Sequence, residues 1–177
     1  MRFRVVVLFL MLMHNFSFAE STKTGTEKLG DLLLVLIPSG AYLTTYINDD
    51  QLGREQFYKG FGANLAITYA LKSSIDETRP DGSDKQSFPS AHSSITFQSA
   101  VFLHKRYGLG YAIPAYIGAS YTGWSRVDSK KHYTKDVLAG AALGAASSYY
   151  LTTSLGKAVI APVLSENSAS IMLSYKW

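Results

Sequence analysis

The chain has 177 residues, a formal net charge of +4, 47% hydrophobic residues and no Cys. That length suits one domain with a well-buried core. The lack of Cys excludes a disulfide framework or a thiolate metal site, and so modest a charge, with no extended basic stripe, excludes nucleic acid as the partner.

Arg2 and Arg4 precede an apolar run from Val5 to Met13, followed by Ser17-Phe18-Ala19. Together they have the three regions of a secretory signal peptide, with cleavage after Ala19, and the run is too short to span a bilayer. Residues 1–19 are therefore expected to be a signal segment and 20–177 a single helical domain. The apolar stretches that follow predict helices over Gly30 to Ile47, Phe61 to Lys72, Ser93 to Arg106, Gly110 to Trp124 and Asp136 to about Leu155, with a charged connector from Asp49 to Glu55. The expected fold is all-α, a single bundle of about five to six helices. Its uncharged runs fall at or below the roughly 20 residues needed to cross hydrocarbon. Gly140-x3-Gly144 lies in an Ala, Gly and Ser-rich stretch that permits close helix approach. At the C-terminus, Ile171, Leu173, Tyr175 and Trp177 alternate with Met172, Ser174 and Lys176, a strand-like period expected as an extended tail on the bundle.

Three polar clusters interrupt this apolar pattern: Lys72 with Arg79-Pro80, then Pro89-Ser90-Ala91-His92, then Ser125-Arg126 with His132 and Asp136. Lys72, Arg79 and Arg126 bring permanent positive charge, and Ser90 with nearby backbone N–H groups brings neutral donors. A phosphate dianion is recognised by that mixture. Two histidines add chemistry, because imidazole titrates near neutrality and can attack phosphorus or protonate a departing alkoxide. His132 and Asp136 share a helix face if a helix begins there, so the carboxylate could hold one ring nitrogen protonated. Singly, these are a helix end, an N-cap with a surface His, and a surface ion pair. Their common order and spacing sets them apart. Lys130 and Lys131 are read as solvated loop, Asp81, Asp84 and Lys85 as turn residues, and His14 and His104 as without a catalytic partner.

The composite pattern Lys72-x6-Arg79-Pro80, Pro89-Ser90-Ala91-His92, Ser125-Arg126-x5-His132-x3-Asp136 resembles the three-part signature of the type 2 phosphatidic acid phosphatase and vanadium haloperoxidase superfamily. Ala91 stands where the commonest form of the family has Gly, and a helix-start conformation accepts Ala. The resemblance implies that His132 is the nucleophile, forming a phosphohistidine, and that Asp136 orients it. It implies that His92 is the general acid, and that Lys72, Arg79, Ser90, the Ala91 backbone and Arg126 bind phosphate. It also implies that neither a metal nor another cofactor takes part.

The expected partner is a phosphorylated lipid or a small phosphomonoester. The expected place is the envelope of a bacterium, membrane-associated with the site facing the periplasm. A soluble periplasmic acid phosphatase of the same superfamily and a catalytically silent envelope binding protein are the alternatives.

Overall fold

The computed structural model describes residues 23–155 and, as backbone, 157–165 and 168–176. The expected signal segment at 1–19 lies outside the described residues. Five helices follow in order: α1 (Gly25–Ile47), α2 (Gln51–Ser74), α3 (Ala91–Tyr107), α4 (Leu109–Asp128) and α5 (Thr134–Leu151).

Two helices begin earlier than their apolar runs suggested. Thr24 caps α1, its Oγ1 accepting the Glu27 backbone N–H at 3.2 Å. Asp50 caps α2 in the same way through the Gly53 N–H at 2.8 Å, so the charged connector becomes the first turns of a helix. Its charges fit because they lie outward: Lys59 pairs with Glu55 one turn away, and Arg54 lies over the Tyr46 ring. Gly53, Phe57 and Gly60 face inward from the same turns.

α3 is the axis of the bundle. It packs against all four other helices, while α1 also packs on α4 and α2 on α5. Among the large apolar side chains exposed on the described residues, none belongs to α3. The apolar core runs along this axis from Ile95 to Leu103, where Phe57, Phe61 and Phe102 pack with Leu34, Ile37, Ala41 and Ala112. Each such large side chain contributes about 1.5–3 kcal/mol on burial.

Between α3 and α5 the packing is of backbone on backbone. A Cβ on Gly140 would collide with the Ser90 carbonyl, and one on Gly144 with the Ser94 carbonyl, so the Gly140-x3-Gly144 spacing works as the close-approach face. Polar side chains line the neighbouring seam. Asn64 and Thr68 donate to Ser94 Oγ, and Ser148 Oγ donates to the Gln98 carbonyl at 2.6 Å.

The outer faces are apolar. Leu32, Leu36 and Ile47 of α1, Ile113 and Ile117 of α4, and Leu138 and Tyr150 of α5 are all exposed. Among the described helices α1 is long and apolar enough to cross a membrane by length and composition.

Past α5 the chain forms an antiparallel hairpin, β1 (Lys157–Ser165) with β2 (Ser168–Lys176), in a register that runs from Lys157 opposite Lys176 to Ser165 opposite Ser168. The strand-like period at the C-terminus is therefore part of a paired strand, where a single extended tail was expected. Pairing satisfies the backbone groups that a lone strand would leave open.

Candidate active site

Alternation of chain direction brings the start of α1, the end of α2, the start of α3, the end of α4 and the start of α5 to one pole. The eight candidate site residues, Lys72, Arg79, Ser90, Ala91, His92, Arg126, His132 and Asp136, lie there.

Lys72 occupies the last turn of α2 and donates from Nζ to the Gln86 carbonyl at 2.6 Å, which ties down the loop between α2 and α3. Arg79 stands on that loop. Its Nε donates to Asp84 Oδ1 at 2.7 Å and its Nη1 to the Lys131 carbonyl at 3.1 Å. Asp84, read as a turn residue, thus fixes the direction of the guanidinium. Asp81 likewise pairs with Lys131, joining this loop to the one between α4 and α5.

Ser90 is the N-cap of α3, and Ala91 and His92 open the helix. No positive φ is imposed on Ala91, which agrees with the tolerance expected for Ala here. The Ser90 N–H donates to the Asp136 carbonyl at 2.9 Å, which joins the second cluster to the third through the main chain. Arg126, 3% exposed in the last turn of α4, donates from Nη2 to the Glu27 carbonyl of α1 at 2.8 Å.

The His132 and Asp136 geometry differs from expectation. α5 starts at Thr134, so His132 sits in the preceding loop rather than on a shared helix face. Its Nδ1 is 3.8 Å from Asp136 Oδ2, beyond hydrogen-bond reach. Asp136 is instead an anchor, accepting Ser87 Oγ–H at 2.5 Å and the Tyr133 N–H at 2.9 Å. That capping contact competes for the carboxylate, and the His132 ring is faced instead by Arg79, whose Nη1 is 3.4 Å from Nε2, and by the Ser87 backbone.

Sequence reasoning passed over Asp31 of α1. Its Oδ1 is 3.0 Å from His92 Nε2 and accepts Arg126 Nη1 at 2.8 Å, and its Oδ2 accepts Lys23 Nζ at 2.6 Å. The signal available was its isolation, for Asp31 is the one charged residue between Lys28 and Asp49. A lone carboxylate on an apolar helix needs a partner. Ser87 was also passed over, and nothing in its surroundings in the chain marks it.

The electrostatics are those of a site short of negative charge. Burial, with Arg79, Lys72 and His92 adding to it, pushes the His132 imidazole down to about 3. Burial together with Arg79 brings Lys72 down to about 8. Burial also holds His92 below its ordinary range; the hydrogen bond to Asp31 opposes this, and Arg126 and Arg79 reinforce it. His132 is therefore neutral. A guanidinium can only donate, so the Nε2 facing Arg79 carries the lone pair and Nδ1 the proton. The site thus holds an uncharged imidazole inside a cluster of cations. Among the described residues no group of three or more His, Asp and Glu could hold a metal ion.

Residues 56–160 match the PAP2 superfamily. A lipid A 1-phosphatase of Porphyromonas gingivalis is 41% identical over 78 residues, which are 42% of this chain and 18% of that protein. The chain therefore spans about a fifth of the length of the curated relative it matches. Among solved structures, Aquifex aeolicus LpxE superposes with a TM-score of 0.52 at 19% identity, over 71% of this chain and 91% of that one. This likeness is one of fold. A PAP2-type phosphatidylglycerolphosphate phosphatase from Bacillus subtilis gives 0.45 at 21% identity, over 82% and 92%.

Proposed function

Because the chain belongs to the PAP2 superfamily, we propose that it hydrolyses the phosphate ester of a membrane lipid through a phosphohistidine on His132. The observation that carries the reading is a neutral, buried His132 among Lys72, Arg79 and the neighbouring cations, close enough to His92 for their charges to interact. His132 Nε2 attacks phosphorus, the bond from phosphorus to the alkoxide breaks, and His92 hands its proton to the leaving oxygen. Water then attacks the phosphohistidine while His92 takes up a proton, the P–N bond breaks, and inorganic phosphate leaves. Lys72, Arg79, Ser90, the Ala91 N–H and Arg126 hold the equatorial oxygens as negative charge develops.

Two observations support a lipid substrate. A stretch of 78 residues is similar to a protein named for its action on lipid A, and the exposed apolar faces of α1, α4 and α5 suit contact with acyl chains. The enzyme is then membrane-associated, and the signal segment expected at residues 1–19 puts its site on the periplasmic side of a bacterial envelope.

A phosphate-release panel in detergent tests this. Lipid A, phosphatidic acid, phosphatidylglycerol phosphate, undecaprenyl pyrophosphate and a soluble monoester are compared at equal concentration. The expected result is turnover of at least one lipid well above that of the soluble ester; release from the soluble ester alone would refute the lipid reading. A second expectation concerns the acid. His92→Ala should slow an alkyl phosphate about 10²–10⁴-fold and spare an activated aryl phosphate, whose leaving group departs without a proton. Equal losses on the two esters would remove His92 from that role.

A further inference from the structure

We propose that Asp31 is the positioning residue for this site, a carboxylate on α1 that orients the acid His92 and the phosphate-binding Arg126 together; the inference rests on the phosphatase reading above. Three observations carry it. First, Asp31 Oδ1 meets both partners, His92 Nε2 at 3.0 Å and Arg126 Nη1 at 2.8 Å, so one oxygen sets the spacing between an acid and a phosphate ligand. Second, the other oxygen is held by Lys23 at 2.6 Å, which leaves the carboxylate little freedom to rotate. Third, Arg126 is anchored to α1 a second time, through the Glu27 carbonyl at 2.8 Å, so the contact belongs to a built interface between α1 and α4.

The consequence for proton transfer follows from donor chemistry. Nε2 of His92 lies 3.0 Å from the Asp31 carboxylate and 3.5 Å from Arg126 Nη1; the shorter contact to an acceptor governs, so Nε2 carries a proton, and in the imidazolium it is Nδ1 that gives its proton to the leaving oxygen. A negative charge beside the ring stabilises that imidazolium, as the buried carboxylate of a catalytic triad does for its histidine. The charges facing His92 are Asp31 from α1, Arg126 from α4, Arg79 from the loop between α2 and α3, and His132 from the loop between α4 and α5. Among these groups Asp31 alone favours the protonated acid. It also lies outside the segment from Lys72 to Asp136, so the site is incomplete without α1.

The test uses full-length protein in detergent, with wild type, Asp31→Asn, Asp31→Ser and His92→Ala assayed on two esters. One is a phosphatidic acid, and the other a nitrophenyl phosphate bearing an alkyl tail. Asp31→Asn should lower kcat on the alkyl ester about 10- to 100-fold and on the aryl ester less than about 3-fold, while KM rises on both as Arg126 loses its partner. The limb of kcat/KM that falls with rising pH should move to lower pH, because the group that favoured the imidazolium is gone. The ratio between esters is taken on one preparation, so loss of folded protein cancels, and Asp31→Ser serves if the Asn variant is poorly produced. Equal losses on both esters with an unmoved pH limb would make Asp31 a merely structural contact and overturn the proposal. Should His92→Ala fail to discriminate the esters, there is no acid for Asp31 to position, and the proposal falls. A wild type that releases phosphate from neither ester overturns the phosphatase reading itself, an outcome distinct from the other two.

Discussion

Phosphate release by His132→Ala should fall by about four orders of magnitude or more, because the covalent route disappears with the ring. His132 is 3% exposed, neutral, and has Nε2 facing Arg79, so no solvent molecule in its place could combine nucleophilicity with that alignment. The loss should appear in kcat and kcat/KM together, since the bond is made only in the transition state. A companion measurement separates attack from binding. Wild type quenched during turnover of radiolabelled substrate should carry acid-labile, alkali-stable label, and the Ala variant none. Turnover within tenfold of wild type would dismiss His132 as the nucleophile. Since burial and the surrounding cations hold the imidazole at about 3, it stays deprotonated as pH falls from neutrality towards that value. Any loss of kcat/KM in that interval therefore belongs to other groups, or to the phosphate itself.

The second large effect is expected at the opposite pole. Arg106 donates to Asp50 from Nε at 2.6 Å and from Nη2 at 2.5 Å, and Asp50 also accepts Tyr107 Oη at 2.8 Å. Both ends of the pair are buried, and Arg106 reaches on to the Thr153 carbonyl at 2.9 Å, past the end of α5. Arg106→Met would strand the Asp50 carboxylate away from water. Breaking such a pair from one side costs about 3–5 kcal/mol, against a total stability of about 5–15 kcal/mol. A fall in Tm of roughly 6–20 °C is expected by thermal unfolding in detergent. Turnover per folded molecule at low temperature should be unchanged, because the pair lies a helix length from the histidines. A Tm within about 2 °C of wild type would show that water reaches Asp50 and that the pair is not sealed.

The contrast between the two poles explains what could be read from the chain. The residues proposed as phosphate ligands were legible as a set because Lys72, Arg79, Ser90 and Arg126 fall at helix ends or beside them, where a polar residue interrupts an apolar run. The start of α2 was not. Arg54 and Glu55 look like a connector until Asp50 caps the helix and turns them outward, and that cap is a matter of backbone angle. Asp31 went unread because its partners lie 61 and 95 positions away. Spacing between neighbours predicted a link between His132 and Asp136, but the start of α5 two residues later gave the carboxylate to Tyr133 and Ser87. β1 was missed for a different reason. Val159-Ile160-Ala161-Pro162-Val163-Leu164 lacks the alternation that made the final strand visible.

The join between α3 and α5 bears on how such a protein can change. His92 and His132 belong to segments registered by the Ser90 N–H on the Asp136 carbonyl and by glycine lying against the Ser90 and Ser94 carbonyls. The spacing of the two imidazoles is thus fixed by main-chain contacts, which most substitutions leave alone. The outward residues of α1, α4 and α5 take no part in those contacts. On the function proposed above, substrate preference and catalytic geometry are separately heritable, since the apolar exterior can be regrafted while the main-chain join between α3 and α5 is kept.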